Sequence, residues 1–220
     1  MTAFRNSPAS LTQAQIFLRL ITGCASRSDI DAAPGCSRTL IIRALIVTLL
    51  CGAGVIGTNA ALINGVAQHG VVSLQFAGTV SEAKSILETW GWGAVATDGN
   101  APRLADTAHR VLWLDFPFMT AYTVLLALLC GRLAADERYR GARRTAFRSG
   151  VAAAWVAGLA DLSENIAHLK LLDQLDTPAA DMLVRWAWLS ASLKWTLIAL
   201  IASLLAAGAL RMQVRRASVR

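Results

Sequence analysis

Charged side chains are scarce in this 220-residue chain: only 16% of the residues are Asp, Glu, Lys or Arg, whereas 55% are hydrophobic. A soluble domain usually carries about 25% charged residues, so the composition argues against a water-soluble fold. The apolar content also excludes disorder over most of the chain. Four cysteines are too few for a secreted disulfide scaffold of this length. The composition is typical of a membrane protein.

Sequence motifs of several enzyme classes are missing as well. The chain has no Gly-rich phosphate loop, nucleophile elbow or zinc-peptidase motif. A four-helix haem protein needs paired histidines within the membrane, and of three histidines only His168 is predicted to lie there. All four cysteines are predicted on the cytoplasmic side or in the inner half of the membrane, which excludes a thiol oxidoreductase that faces an oxidising compartment.

Four apolar stretches are long enough to cross a bilayer, which takes about 20 mostly apolar residues. The sequence therefore predicts an all-α membrane protein, a four-transmembrane-helix bundle with an amphipathic helix on its outer face. Residues 1–39 are predicted to form a cytoplasmic N-terminal tail, 40–210 the transmembrane domain and 211–220 a basic cytoplasmic tail. The predicted spans are residues 40–62, 111–131, 151–171 and 183–208.

The distribution of charge predicts the orientation. The two tails and the loop between spans two and three, counted with the adjoining span ends, hold fifteen basic and four acidic residues, whereas the other two loops, counted in the same way, hold five basic and seven acidic residues. Basic loops stay in the cytoplasm, so both termini are predicted to be cytoplasmic. We interpret the net charge of +7 as a topology signal and expect no nucleic-acid partner. The predicted location is the inner (plasma) membrane of a bacterium.

A short amphipathic helix is predicted in the N-terminal tail, over residues 10–23. Ser10 and Gln13 have the spacing of a capping box, and Gly23 that of a C-cap. We expect this helix to rest on the cytoplasmic leaflet, with docking against a partner as the alternative. Residues 26–38 are predicted to be a linker.

A second amphipathic helix is predicted in the outer loop, residues 64–110. Thr79 and Glu82 have the spacing of another capping box, and apolar residues recur on one helical face as far as Trp90. A helix over residues 80–90 should therefore lie over the outer mouth of the bundle.

Polar residues inside the predicted spans locate a candidate site. An ionisable group costs at least about 2.5–3.5 kcal/mol to insert, so it should face the bundle interior. The polar residues of span three share one helical face. The small residues Ala154 and Gly158 continue that face toward the cytoplasm, where they permit close contact with another helix. The predicted polar pocket in the outer half of the bilayer consists of Asn59, Asp115, Asp161, Glu164, Asn165, His168 and Lys194.

Four interpretations of this pocket remain open. Lys194 could neutralise Asp115, Asp161 or Glu164 and fix the register of the helices. Because three carboxylates face one lysine, a ligand such as a polar lipid headgroup or an amine could join them. Asp161, Glu164 and His168 could instead hold a divalent metal, since carboxylate and imidazole ligands suit Mn, Fe or Zn. Proton- or ion-coupled transport is the fourth interpretation.

Two classes of function follow. The leading hypothesis is a lipid or small-molecule binder or an accessory subunit of a membrane complex, with membrane lipids, other subunits or further copies of the chain as partners. The alternative is a small membrane-embedded enzyme, in which Asp115, Asp161, Glu164 and His168 supply a general base or hold a metal. The sequence itself requires no cofactor.

A resemblance supports the topology. The chain resembles a group of uncharacterised bacterial four-span integral membrane proteins, which share an outer helix ending in Trp-Gly, an LDF motif that opens span two and a D-x-x-E-N motif in span three. The likeness covers about Leu74 to Lys194 and implies the four spans and the place of the site, but no activity. The matching residues are Gln75-Phe76-Ala77, Glu82 to Gly91, Leu114-Asp115-Phe116, Ala121-Tyr122 and Asp161 to Asn165.

Overall fold

The computed structural model describes residues 12–32, 34–92, 104–136 and 138–217, and the regular structure within these ranges is entirely helical. Residues 93–103 of the predicted outer loop and the ends of both predicted tails lie outside these ranges. The helices are α1 (Gln13–Ile21), α2 (Arg27–Ala32), α3 (Pro34–Asn59), α4 (Val71–Gln75), α5 (Val80–Thr89), α6 (Leu104–Ala134), α7 (Ala142–Gln174) and α8 (Ala179–Ala217), with a 3-10 turn at Ala60–Leu62.

Three of the described helical segments are long and apolar enough to cross a membrane: Ser37–Leu62, Leu104–Ala134 and Ala179–Arg211. They coincide with predicted spans one, two and four, although the α6 and α8 helices extend beyond the predicted boundaries. The third predicted span, residues 151–171, lies within the 33-residue helix α7. That helix falls short of the same apolarity because the predicted polar residues lie on it.

The four long helices pack in chain order. Helix α3 packs along α6, α6 along α7 and α7 along α8, whereas α3 and α8 share no extended interface within the described residues. The bundle therefore has α6 and α7 at its centre and a lateral gap between α3 and α8. We call the end of the bundle at which α6 ends and α7 begins the basic end. Helices α4 and α5 cover the opposite end.

Small residues set the contact between α6 and α7, as the sequence predicts. Ala154 is fully buried, and Gly158 lies so close to α6 that a side-chain carbon there would collide with Thr123. Glycine at residue 158 thus lets the two central helices approach each other, and it lies one helical turn from the polar cluster on α7.

The N-terminal segment docks on the bundle itself, a contact that the sequence does not predict. Ile16 and Leu20 of α1 are buried, and the indole Nε1 of Trp155 on α7 donates a 2.8 Å hydrogen bond to the Ile21 carbonyl oxygen. The capping box lies two residues after the predicted one, since Thr12 caps the helix with Gln15. Ser10 lies outside the described residues.

The predicted linker, residues 26–38, is helical: it contains α2 and the first turn of α3. Asp29 explains part of this order, because it accepts hydrogen bonds from the Ser26 backbone N–H at 2.8 Å and from Arg19 at 2.7 Å. Burial opposes ionisation of Asp29, but these hydrogen bonds outweigh burial and lower the pKa of the carboxyl below its usual value.

Helix α5 confirms the amphipathic helix predicted over residues 80–90. The Thr79 hydroxyl caps its first turn by accepting from the Glu82 backbone N–H at 3.2 Å, while Glu82 itself accepts from the Gly78 N–H rather than closing the predicted box. Trp90 is buried, and its indole Nε1 donates to the Leu62 carbonyl oxygen at 2.9 Å. Lys84 pairs with Asp176 in the turn between α7 and α8. These contacts fix α5 over the bundle.

Candidate functional site

Helix α7 carries the centre of the polar cluster. Asp161 precedes Glu164 and Asn165 by three and four residues, and His168 follows them by four and three, so a helix places all of them on one face. All four are buried, and none is more than 2% exposed. The face therefore lies against the neighbouring helices.

Lys194 of α8 lies between two carboxylates of this face. Its Nζ is 2.8 Å from Asp161 Oδ1 and 2.8 Å from Glu164 Oε2, and the lysine is only 4% exposed. The second oxygen of Asp161, Oδ2, accepts a 2.7 Å hydrogen bond from the Tyr122 hydroxyl of α6. Asp161 is thus fully engaged, and this network joins the three helices α6, α7 and α8.

Tyr122 is the member of this network that is missing from the predicted pocket. It stands seven residues after Asp115, and residues so spaced lie on the same face of a helix. This spacing could have identified Tyr122. It was missed because a tyrosine within an apolar segment is not ionised and so does not stand out as a charged residue does.

Asp115 of α6 lies in a different environment. Its Oδ2 accepts a 2.6 Å hydrogen bond from the Asn165 side-chain amide, and its side chain is half-buried. No basic side chain of the described residues comes within ion-pair distance of this carboxylate. The cluster therefore contains three carboxylates but one ammonium group, and Asp115 is the carboxylate that has no cation beside it.

A cavity of about 440 Å³ adjoins the cluster. Its walls are mostly apolar and come from α3, α4, α6, α7 and α8. The exposed side chains Ile56 of α3 and Trp195 of α8 both line it. The polar groups on its wall include Asp115, Tyr122, Asp161, Asn165 and Lys194. The cavity thus combines an apolar passage with a charged end.

Asn59 lines the cavity, but its amide group is used by the fold. The Oδ1 atom accepts from the Val71 backbone N–H at 2.8 Å, and Nδ2 donates to the His69 carbonyl oxygen at 3.2 Å. Between them Gly70 has φ +61°, and a side chain there would collide with Asn59. Asn59 therefore holds α4 over the cavity.

Two of the predicted residues do not lie on the cavity wall. Glu164 pairs with Lys194, and the ring of His168 faces the backbone of Leu74. Glu164 Oε1, Asn165 Oδ1 and both ring nitrogens of His168 are buried without a well-aligned hydrogen bond in the described part of the chain. Buried polar groups are normally satisfied, and of these residues Asn165 is the one that lines the cavity.

The predicted metal ligands Asp161, Glu164 and His168 are not arranged to hold a metal. No group of three His, Cys, Asp or Glu side chains in the described ranges has the geometry of a metal site. Lys194 instead lies between Asp161 and Glu164 and provides the positive charge that a metal would provide. The residues therefore do not fit a divalent metal.

Comparison of the chain with family models, with curated proteins and with solved structures gives no match. The resemblance to bacterial four-span membrane proteins consequently rests on the sequence motifs alone, and the site is interpreted from its geometry.

Proposed function

We propose that this chain is a four-span protein of a bacterial inner membrane, with both termini in the cytoplasm, and that it binds an amphiphilic molecule with a cationic or amine-bearing head. The observation that carries the proposal is the cavity between α3 and α8, whose apolar passage leads to a carboxylate that has no cation.

The fourth span of this proposal is α7. Its 33 residues correspond to about 50 Å at ~1.5 Å per residue, which exceeds the ~30 Å hydrocarbon core. It packs between α6 and α8, both of which are apolar enough to cross a membrane. Its ionisable residues Asp161 and Glu164 point inward, where Lys194 offsets their charge. A helix enclosed in this way does not need the apolar surface of one that faces lipid.

The chemistry of the ligand follows from the walls of the cavity. Its volume of about 440 Å³ falls within the usual range of ligand sites. The apolar side chains suit a hydrocarbon tail, whereas the Asp115 carboxylate suits a cation or a hydrogen-bond donor. A primary or quaternary amine would offset the excess negative charge of the cluster. The ligand class that fits both ends is an amine-headed lipid or a similar cationic amphiphile.

The gap between α3 and α8 provides the path for such a molecule. Because Ile56 and Trp195 are exposed on opposite sides of the gap, an acyl chain could enter sideways from the bilayer. The end above the cavity is covered by α4, which Asn59 anchors. Entry from the membrane plane therefore meets fewer obstacles than entry from the aqueous side.

The enzyme alternative has less support from the geometry. Asp161 is engaged by Lys194 and Tyr122, so it is not positioned as a general base. Of the other candidates for proton transfer, Glu164 and His168 do not line the cavity, and Asp115, which does, is bound by the Asn165 amide. The groups that a bound molecule would meet are those of a binding site.

The test is mass spectrometry of molecules that co-purify with the full-length chain extracted into lipid nanodiscs. We expect an amine-headed lipid at about one copy per chain, and a loss of roughly tenfold in its occupancy in Asp115→Asn, because a charge-assisted hydrogen bond is lost. Asp106→Asn is the matched control, since this aspartate is exposed on the same helix. Equal lipid occupancy in both variants would contradict the proposal.

A second pair of variants tests the path. Ile56→Trp should narrow the gap and reduce occupancy, whereas Leu50→Trp, at an exposed position of the same helix away from the cavity, should not. If both proteins retain the bound molecule equally, it does not enter between α3 and α8.

A further inference from the structure

A second cavity lies at the basic end of the bundle, away from the polar cluster on α7. It measures about 490 Å³ and lies between the start of α2 and the connection from α6 to α7. Three arginines, Arg27, Arg140 and Arg144, line it together with Ser26 and Ser28. The acidic side chain on its described wall is Asp136, so the lining carries a net positive charge.

The charges of this cavity are unequally engaged. Asp136 is near Arg138 and Arg27, with nitrogen–oxygen distances of 3.5 and 3.9 Å, and Arg27 also binds Asp31 at 2.7 Å. Arg140 and Arg144, in contrast, take part in no ion pair among the residues that the structure describes. The Nε atom of Arg144 is buried there without a hydrogen-bond partner. A buried guanidinium donor without an acceptor is costly, because it has lost its hydration.

The N-terminus of α7 adds to the positive potential. Its N-cap is Gly141, with φ +58°, which offers no side chain to the free backbone N–H groups. The first turn contains no acidic residue, and Arg144 of the cavity wall belongs to it. Cations at the positive end of a helix are unfavourable. An anion bound at this position would neutralise both the helix end and the arginines.

The wall of the cavity is held rigidly. The Tyr139 hydroxyl donates a 2.8 Å hydrogen bond to the Gly208 carbonyl oxygen of α8, and its ring packs edge-on against Phe147 with centroids 4.9 Å apart. On the other side the Ser26 and Ser28 hydroxyls lie 2.8 Å from each other. Two serines and two arginines therefore line a space whose walls are held by these contacts.

We propose that this cavity binds a phosphate group, with Arg140 and Arg144 as the principal contacts and the N-terminus of α7 as an additional donor. Guanidinium forks match phosphate oxygens, and the net charge of the lining suits a mono- or dianion. The phosphate belongs either to the headgroup of an anionic lipid, since the cavity adjoins the ends of apolar helices, or to a soluble compound. This site is independent of the amphiphile cavity and of its proposed ligand.

The experiment has one arm for each source and uses the full chain in a neutral detergent. In the first arm, phosphatidylglycerol is added and bound lipid is counted by native mass spectrometry; in the second, inorganic phosphate is titrated and the melting temperature is followed. Arg144→Gln and Arg140→Gln should each weaken binding about tenfold in the arm that responds. Arg144→Lys keeps the charge without the fork and should lose less.

Arg143→Gln is the matched control, because it removes the same charge from the adjacent residue of α7, which does not line this cavity. The proposal requires Arg143→Gln to bind like the unmodified chain, and all variants to elute as folded protein in size-exclusion chromatography. Equal loss in Arg143→Gln and Arg144→Gln would overturn it, since the effect would then be one of general charge. The absence of binding in both arms would also overturn it.

Discussion

Helices α3 and α7 combine composition and burial in opposite ways. Helix α3 carries the most apolar of the three candidate spans, yet only 6% of its apolar window is buried. Helix α7 is not among these spans, yet it lies between α6 and α8 and buries Asp161, Glu164, Asn165 and His168 completely or nearly so. The most apolar helix is thus the most exposed one, and the most polar long helix lies at the centre.

The difference teaches what hydropathy measures in such a bundle. A helix that faces lipid must be apolar around its whole circumference, whereas a helix that is enclosed by others can carry polar groups that its neighbours satisfy. In α7, Lys194 and Tyr122 bind Asp161, and the close contact at Gly158 brings α6 against the polar face. Variants that remove contacts made by α7, each paired with a control position that lacks such a contact, test this difference.

The largest effect is expected from Lys194→Met, which leaves the buried carboxylates of Asp161 and Glu164 without their cation. Breaking a buried ion pair from one side typically costs about 3–5 kcal/mol. Unfolding in one detergent, followed by circular dichroism, should show this loss. Leu50→Met on the exposed surface of α3 should change the unfolding free energy by less than about 0.5 kcal/mol.

A triple variant separates charge from packing at this position. Asp161→Asn and Glu164→Gln combined with Lys194→Met remove all three charges, so much of the stability should return. If the triple variant is as unstable as Lys194→Met alone, the ion pairs are not the cause of the loss.

The next effect concerns glycines. Gly158→Ala places a methyl group against Thr123 and should destabilise the bundle by about 1–3 kcal/mol. Gly57→Ala on α3 meets no atom within 4 Å, so the better helix propensity of alanine should leave stability equal or raise it by up to about 1 kcal/mol. The same unfolding assay compares the two variants. Equal effects would mean that α7 is no more tightly packed than α3.

A smaller effect is expected where α7 holds the N-terminal segment. Trp155→Phe removes the hydrogen bond from the indole to the Ile21 carbonyl oxygen, worth about 1 kcal/mol, and should speed amide exchange in α1. The control is Trp113→Phe on α6, whose exposed indole makes no hydrogen bond within the described residues. Unchanged exchange of α1 in Trp155→Phe would contradict the docked position.

The smallest effect depends on pH. Because the pKa of Asp29 is below its usual value in the folded chain, its contribution to docking is complete above the unfolded value of about 4 and declines as the pH falls through the folded value. Amide exchange in α1 and α2, corrected for intrinsic rates, should therefore increase below about pH 4. In Asp29→Asn this pH dependence should be absent, and a persistent dependence would assign it to another group.

The sequence predicted the features that depend on local rules. Three spans, the α5 helix and the common face of Asp161 and Glu164 follow from hydropathy, capping and helical periodicity, and the structure places Lys194 beside both carboxylates. The expected excess of carboxylates over cations reappears at Asp115.

The features that periodicity missed depend on tertiary contacts. The order of residues 26–38 depends on the hydrogen bond from Arg19 to Asp29. The position of α1 depends on the hydrogen bond from the Trp155 indole to the Ile21 carbonyl oxygen. Asn59 is polar and was therefore predicted to bind a ligand. Its side-chain amide instead binds the backbone of a turn about Gly70, where the Val71 N–H, twelve residues away, donates to it. Pattern alone also allowed Glu164 and His168 to ligate a metal, whereas Lys194 neutralises Glu164.

The most direct test of the central claim, that α7 crosses the membrane as an enclosed polar helix, is the accessibility of its two ends. Single cysteines are introduced at the exposed positions Ser149 and Asp173 in a chain whose four native cysteines are replaced by serine, and cells are treated with a membrane-impermeant maleimide. We predict that Asp173→Cys is labelled in intact cells and Ser149→Cys only after permeabilisation. Labelling of both positions from the same side would show that α7 does not cross the membrane and would contradict the account.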